Sequence, residues 1–314
     1  MPWSVADSPK PVMTTLLLFL FLCQKNQAQN NLISLVILGI AQDGGSPQIG
    51  CDKSCCKSLW KNNHFENVTS IGLVDNIENR FFLIDASPDI PKQYWMLKSL
   101  TSRPSLGGIL LTHAHTGHYS GLLYLGKESL GARNVNVYSM PKMTLFLKNN
   151  GPWSQLVQEK NIKINKLKND SIQSLGENLS IKPILVPHRD EFSETVGYLI
   201  KGRFKSALFL PDIDKWEKWD KKIEDFIRNV DYAFIDGTFY DGNEIPHRNM
   251  NEIPHPFVVE TLERFKILKK KDKKKVYFIH LNHTNPLLKQ NNKITKEIIK
   301  RGYNIARTGM KFDL

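Results

Sequence analysis

Apolar residues recur along the chain in short runs separated by turns and helical stretches. The run LISLVILGI, residues 32–40, is largely apolar and predicts a buried strand, which leads into the glycine-rich turn AQDGGSPQIG. SIGLVD and RFFLIDAS, separated by NIEN, predict a hairpin whose second strand ends at Asp85. The folded part of the chain is therefore predicted to open with three strands.

Strand and helix patterns alternate over the rest of the chain. SPDIPKQYWMLKSL begins with a serine and a proline and predicts a helix, while GGILLT predicts a strand that delivers His113 at its carboxyl end. The later predicted strands are NVNVYS, LSIKPILVP, TVGYLI, SALFL, YAFID, KVYFIHL and YNIARTGMKF. Helices are predicted for YSGLLYL, IDKWEKWDKKIEDFIRNV and FVVETLERFKIL. No repeat or long linker divides the sequence, so we expect a single α/β domain.

The pattern of the first 29 residues indicates a targeting segment. Lys10 precedes the apolar run LLLFLFLC, which is too short to span a bilayer, and the polar stretch QKNQAQNN follows it. This layout is typical of a secretory signal. We therefore predict a signal peptide over residues 1–29, a folded domain over residues 30–314, export to the periplasm and no stable membrane span. The alternatives are a lipid anchor at Cys23, which the bulky Leu22 disfavours, and a buried amino-terminal helix.

The chain is basic, with 43 lysines and arginines against 31 aspartates and glutamates and a net charge of +12. Such a charge favours an anionic small-molecule substrate without identifying it. Much of the excess lies in KILKKKDKKK, residues 266–275, where no aromatic residues separate the lysines. That stretch is predicted to be a solvated surface rather than a nucleic-acid site. A homodimer is compatible with the sequence.

The cysteines beyond residue 29 are clustered in GCDKSCC, as Cys51, Cys55 and Cys56. Three neighbouring cysteines with no distant partner make a poor disulfide framework. Thiolates this close together suit a tetrahedral zinc ion, with a fourth ligand from elsewhere. Free or reactive thiols are the open alternative.

Three histidines fall within six residues of the stretch LLTHAHTGHYSGLLYL, as His113, His115 and His118. Histidines at i and i+2 after a strand point toward a common region, and neutral imidazoles suit zinc or iron. Further candidate ligands also follow predicted strands, where α/β folds gather their sites: His188, Asp212, His280 and His283. The set provides ligands for one or two ions.

These ligands resemble the signature of the metallo-β-lactamase superfamily, H-x-H-x-D-H followed by a later histidine, an aspartate and a last histidine. The resemblance implies an αββα sandwich with a metal site at one edge. It assigns His113, His115 and His188 to a first ion, Asp212 to a bridge, and His118 and His280 to a second ion. Gly117 stands where the motif has its aspartate. We expect a weakened second site, which Gly117→Asp would restore unless a side chain has no room there.

Six ordered blocks resemble the pyrroloquinoline quinone biosynthesis protein B family. They are ILGIAQDGGSPQIGC, FFLIDASPDIPKQ, TGHYSGLLYL, FIDGTFYDGNEI, FIHLNHTNPLL and GYNIARTGMKFDL. That family typically lacks the first two histidines of the motif, whereas this chain has His113 and His115. The resemblance, together with that to related phosphodiesterases, implies a structural zinc on the clustered cysteines with His283 as fourth ligand. It also implies a substrate-binding or ligand-supporting role for Asp236 and a place in a loop near the site for His255, which join Asp212 as candidate catalytic residues. The open alternatives are a carboxylate that caps the following turn for Asp236 and a surface histidine for His255.

Two functions of different classes follow. The first is a hydrolase of an ester, lactone, amide or phosphodiester, with one structural zinc and one or two zinc ions in the active site, where Fe²⁺ or Mn²⁺ is also compatible. The second is a metal-dependent oxygenase or accessory protein of quinone-cofactor synthesis. A non-catalytic metal carrier is a third. We favour the hydrolase because His113 and His115 restore the missing ligands and because export fits poorly with a cytoplasmic cofactor pathway.

Overall fold

The computed structural model describes residues 32–100, 105–246, 249 and 252–314. The predicted signal peptide and the alternative anchor at Cys23 lie outside the described residues, so the domain boundary at residue 30 stays a prediction. Across the described ranges, no helix is long and apolar enough to cross a membrane.

The described strands form two sheets of seven. The first consists, in spatial order, of β14 (Lys311–Asp313), β1 (Ile33–Gly39), β2 (Ser70–Asp75), β3 (Arg80–Ile84), β4 (Ser105–Leu110), β5 (Val135–Ser139) and β6 (Ile162–Lys166). The second consists of β13 (Asn304–Ile305), β12 (Val276–Ile279), β11 (Tyr232–Asp236), β10 (Ser206–Leu210), β9 (Val196–Lys201), β8 (Ser180–Leu185) and β7 (Gln173–Ser174).

Each sheet is antiparallel in one half and parallel in the other. Strands β3 to β6 pair in parallel in the first sheet, and strands β10 to β13 do so in the second. Parallel strands end at the same edge, so the loops that follow them meet there. This geometry positions the candidate site.

Helices connect and cover the strands. Their bounds are α1 (Ser54–Lys61), α2 (Ile90–Lys98), α3 (Thr116–Tyr119), α4 (Pro141–Asn149), α5 (Trp153–Gln158), α6 (Ile223–Asn229), α7 (Val258–Arg264), α8 (Lys270–Lys273) and α9 (Lys293–Lys300). Short 3-10 turns cover Ser120–Leu125, Trp216–Lys218, Gly242–Glu244, Phe265–Ile267 and Pro286–Leu288.

Strand β1 shows why its sequence is apolar at nearly every position. Leu35 and Ile37 belong to the core cluster between the sheets, whereas Val36 and Leu38 belong to the cluster beneath α2 and α4. Both faces of the strand are therefore buried. Burying each of these side chains contributes about 1.5–3 kcal/mol before the cost of ordering the chain. The predicted α/β sandwich, a single domain, is confirmed.

Two predicted elements are wrong. The helix over residues 213–230 is reduced to a 3-10 turn and α6, because two tryptophans of this stretch have separate distant partners. The Trp216 indole donates to Thr261 Oγ1 at 2.9 Å, and the Trp219 indole donates to the Leu185 carbonyl at 3.1 Å. The predicted strand YNIARTGMKF divides into β13 and β14, which belong to different sheets. The turn between them contains Gly309 with a φ of +90°, a conformation that disfavours other residues.

Candidate metal centre

The loops that follow six strands meet at one edge of the sandwich. Each contributes at least one polar side chain from a strand end or the residues just after it: Asp43 after β1, Asp85 after β3, His113 and His115 after β4, His188 after β8, Asp212 after β10 and His280 after β12. Asp236 is the last residue of β11, and His118 lies in the short helix α3. All six predicted active-site ligands are thus near one another.

One cluster consists of His113, His115 and His188, whose ligand atoms lie within 4.8 Å of one another. His113 Nε2 and His115 Nδ1 are 2.8 Å apart. Burial lowers the pKa of His113 well below its usual value and that of His188 to about 4. Both imidazoles are therefore neutral, which is the form that binds metals.

A second cluster consists of Asp43, His118 and His280, whose ligand atoms also lie within 4.8 Å of one another. His118 Nε2 is 3.2 Å from Asp43 Oδ1, and His280 Nε2 is 3.9 Å from the same oxygen. Asp43 was not predicted from the sequence, where AQDGG indicated only a turn. A carboxylate directly after a buried strand was the available signal.

Asp212 lies between the two clusters and is buried. Its Oδ2 is 3.1 Å from His118 Nε2, 3.2 Å from His280 Nε2 and 3.6 Å from His113 Nε2. Its Oδ1 is 3.6 Å from His188 Nε2. Burial raises the pKa of Asp212, but the surrounding imidazoles outweigh it and hold the pKa well below the usual value. The carboxylate is therefore charged and within reach of ions on either side.

Hydrogen bonds on the far side of three rings fix their orientation. The Thr112 hydroxyl donates to Asp85, so it accepts from His113 Nδ1, 3.0 Å away. In the same way, the Thr238 hydroxyl donates to Asp236 and accepts from His280 Nδ1 at 2.9 Å. His118 Nδ1 donates to Asp85 Oδ2 at 2.7 Å. Each ring therefore directs its Nε2 into the site, as metal-binding histidines do.

Asp85 is a second residue that the sequence did not reveal as part of the site. Its carboxylate is fully buried and also accepts the Thr112 backbone N–H at 2.8 Å. Burial lowers the pKa of His118, but Asp85, Asp212 and Asp43 outweigh it and raise the pKa well above its usual value. Both Asp85 and His280 have left-handed backbones, with φ of +70° and +62°. Such strain costs about 1–3 kcal/mol per residue and is concentrated at functional sites.

We expect Asp85→Asn to lower the affinity of the site for its metal about 10- to 100-fold, because the His118 ring loses the carboxylate that orients it. Zinc titration of the variant measures the effect. Asp75→Asn is the matched control, since Asp75 is also buried at a strand end, where it accepts the backbone N–H groups of Ile77 and Glu78. The control is expected to lose stability but not metal affinity, and an equal loss of affinity in both variants would contradict the role of Asp85.

The predicted catalytic residues Asp236 and His255 are both buried next to the clusters. His255 Nδ1 is 2.9 Å from Asp236 Oδ2 and 3.4 Å from Asp212 Oδ1. Asp236 also accepts from the backbone N–H of Thr238 and of Ile213. Its position favours support of neighbouring residues over contact with a substrate, while His255 lies directly beside the predicted ligands.

Of the two outcomes expected for an aspartate at position 117, the structure supports the steric one. A Cβ built on this glycine would lie 2.2 Å from Asp43 Oδ1 and 2.8 Å from Asp43 Cα. Real Cβ atoms essentially never approach other atoms so closely. An aspartate at position 117 would therefore collide with Asp43 rather than fill an open ligand position.

The residues fit a metal ion. Buried side-chain nitrogen and oxygen atoms without a hydrogen-bond partner concentrate here among the described residues: Asp43 Oδ1, His118 Nε2, both ring nitrogens of His188, Asp212 Oδ1 and His280 Nε2. Leaving such atoms unpaired costs about 1–3 kcal/mol each, so their collection at one point indicates a missing common partner. Imidazole and carboxylate donors suit zinc, iron or manganese. That these residues bind a metal stays a prediction.

The four predicted ligands of the structural zinc also lie together. Ligand atoms of Cys51, Cys55, Cys56 and His283 are within 4.8 Å of one another, and none of the three thiols forms a disulfide. Burial raises the pKa of the Cys56 thiol to about 12, while burial and nearby Lys53 lower the pKa of His283. Three thiols and a neutral imidazole fit a closed tetrahedral zinc site.

Known proteins share this fold and, in part, this sequence. Residues 80–281 match the family model described as the beta-lactamase superfamily domain. The chain is 24% identical to the coenzyme PQQ synthesis protein B of Acinetobacter baumannii (strain ACICU) over 309 residues, which cover 89% of this chain and 99% of that protein.

Two solved structures have the same fold. Zn²⁺-bound PqqB from Methylobacterium extorquens aligns with a TM-score of 0.74 and 22% identity, covering 90% of this chain and 100% of the other. A diphosphatase of the PhnP family aligns with a TM-score of 0.64 and 23% identity, covering 90% and 97%. The family match, the paired mixed sheets and the histidine and aspartate clusters at their edge agree, and the chain belongs to the metallo-β-lactamase superfamily.

Proposed function

We propose that the protein is a metal-dependent hydrolase of a phosphodiester, ester or lactone. The observation that carries the proposal is the cluster of His113, His115 and His188 with Asp212 beside it. Burial lowers the pKa of all three imidazoles and so favours their neutral, metal-binding form, and three such ligands leave a position open for a reacting group. A zinc-type ion held there supplies Lewis acidity and lowers the pKa of its water ligand to about 7.

The chain's own residues orient and balance this chemistry. Asp212 places a negative charge between the clusters. The hydrogen bonds that the rings donate to Thr112, Asp85 and Thr238 keep the rings in fixed positions. His255 is held by Asp236 next to Asp212, where it is available to contact a substrate or transfer a proton to a leaving group.

A substrate that contains a phosphoryl group, such as a phosphodiester, has the strongest support. The structural neighbour from the PhnP family is described as a diphosphatase, and the net charge of +12 favours an anionic substrate. Arg189 also lies at the edge of the site, with its Nη2 3.4 Å from His115 Nε2 and half of its side chain exposed. Its guanidinium suits the oxygens of a phosphate group.

A role in quinone-cofactor synthesis is the second candidate. It is favoured by similarity over 99% of the length of a coenzyme PQQ synthesis protein B. Such a role does not require hydrolysis, and several imidazoles with a carboxylate also suit non-haem iron and oxygen chemistry.

Metal removal tests the proposal. The purified protein is expected to contain zinc and to hydrolyse bis(p-nitrophenyl) phosphate or p-nitrophenyl acetate. Dialysis against a chelator is expected to abolish the activity, and zinc is expected to restore it, because the ligand atoms have no other common partner. Elemental analysis and initial rates measure the two effects.

Iron as the bound metal, together with oxygen consumption and no hydrolysis of esters, lactones or phosphodiesters, would instead favour the second candidate. Hydrolysis that survives complete removal of metal would contradict the proposed mechanism.

A further inference from the structure

The backbone just before Asp43 is held in place by contacts with two other segments of the chain. Strand β1 ends at Gly39, and the next residues pair with two other segments. Ala41 forms isolated bridges with Val68 and Leu281, and the Gln42 backbone N–H donates to the Leu281 carbonyl at 2.9 Å. The Leu281 N–H in turn donates to the Ile40 carbonyl. These contacts fix the backbone that precedes Asp43 next to the segment that carries His280.

The Asp43 carboxylate is directed at the second cluster. Its Oδ1 is buried without a hydrogen-bond partner, 3.2 Å from His118 Nε2 and 3.9 Å from His280 Nε2. Those two nitrogens are also buried and unpartnered, since their contacts with the carboxylates lack hydrogen-bond geometry. Three atoms that can coordinate a metal ion, one oxygen and two nitrogens, thus face one another.

Gly117 leaves the room that this carboxylate occupies. A side chain at position 117 would begin 2.2 Å from Asp43 Oδ1 and 2.8 Å from Asp43 Cα. The second contact is with backbone, so rotation of the Asp43 side chain would not relieve it. A carboxylate from position 117 and the carboxylate of Asp43 are therefore mutually exclusive at this place.

We infer that Asp43 is the carboxylate ligand of a second active-site ion, with His118, His280 and Asp212, and that Gly117 is required to admit it. The carboxylate that the H-x-H-x-D-H pattern supplies from within the histidine motif is here supplied by the loop after β1. The inference rests on the proposed metal centre and adds a ligand that the motif does not contain.

Two consequences distinguish ligation from an ion pair between Asp43 and His118. If Asp43 is a ligand, replacing its carboxylate by an amide of the same shape removes the negative charge and most of the affinity of that position for a cation. A second ion also changes the number of metals per chain, which an ion pair does not. The expected content of the fully loaded wild-type protein is three divalent ions, one in the cysteine site and two at the active site.

We expect Asp43→Asn to bind the last of these ions at least about 100-fold more weakly than the wild type, because loss of a mere orienting group already costs about 10- to 100-fold. Protein is dialysed against zinc buffered at graded free concentrations, and bound zinc per chain is measured by elemental analysis. Asp225→Asn is the matched control, since Asp225 is an exposed aspartate paired with Arg228. The control is expected to bind three ions with wild-type affinity.

Gly117→Ala gives a second test that leaves every ligand atom in the chain. The added Cβ is expected to displace Asp43 and to weaken the binding of the last ion by a similar factor. The double variant Asp43→Asn/Gly117→Ala should then bind metal like either single variant, because both changes remove the same interaction. If Gly117→Ala does not fold, Asp43→Asn alone decides the question.

Three ions in Asp43→Asn with wild-type affinity would overturn the inference, as would a wild-type protein that binds only the cysteine-site ion and one other. Both results leave the proposed hydrolase in place, the first with two active-site ions that do not need Asp43 and the second with a single active-site ion. A wild-type protein without any active-site ion would instead overturn the proposed function.

Discussion

Asp212→Asn is expected to reduce hydrolysis by more than about 100-fold and to lower the metal content of the active site. The reason is geometric, since among the described residues Asp212 is the one carboxylate that lies within 3.6 Å of imidazole nitrogens from both clusters. Loss of residues that only orient a ligand costs about 10- to 100-fold, so loss of a central ligand should cost more. The amide keeps the shape of the side chain but removes its charge.

Steady-state kinetics on bis(p-nitrophenyl) phosphate and elemental analysis of the same preparations measure this prediction. Asp225→Asn again provides the control, with the same chemical change at an exposed position. Wild-type turnover and metal content in Asp212→Asn would show that the clusters are not the catalytic centre. A variant that loses metal and activity but keeps its melting temperature would support the assignment most directly.

His283→Gln is expected to lower the melting temperature by about 10 °C while leaving the catalytic residues intact. A metal that binds only the folded protein stabilises it by about 4 kcal/mol at a 1,000-fold excess over its Kd. For a chain of this size, each kcal/mol corresponds to about 2–4 °C. Removing the imidazole opens the otherwise closed set of three thiols and one nitrogen.

Thermal unfolding with and without added zinc measures the effect, and elemental analysis is expected to show one ion fewer per chain. His64→Gln is the control, because the His64 side chain is 66% exposed and belongs to no predicted metal site. Equal melting temperatures and metal contents for His283→Gln and the wild type would contradict the prediction of a structural zinc. Residual hydrolysis below the melting temperature would separate this site from the chemistry.

The alternation of apolar strands and amphipathic helices was sufficient to predict the α/β sandwich. Strand β1 is apolar on both faces because it is covered on both, and that requirement is recorded in its own residues. The hydrophobic periodicity predicted the wrong secondary structure where contacts with distant residues determine the conformation. The residues between Trp216 and Trp219 follow the hydrogen bonds of the two indoles rather than a helical repeat.

The predicted ligands were found because they occupy strand ends, and parallel strands bring their ends to one edge. The histidine spacing in THAHTGH and the cysteines in GCDKSCC are local features that the sequence shows directly. Their metal binding stays a prediction, whereas the structure shows that they lie close enough to share ions.

The strand pattern, the motif resemblance and the ligand-type residues at strand ends predicted the sandwich, its superfamily and most members of both clusters, because each of these signals is visible within a local segment of the sequence. The reason for a glycine at position 117 becomes visible only when the strands are packed together. The glycine appeared as a lost ligand, yet its missing side chain leaves the space that Asp43 fills from the loop after β1. Likewise, Asp85 reaches His118 from a different strand. No local pattern encodes such contacts, because the packing of separate strands, rather than the spacing along any one of them, brings these side chains together.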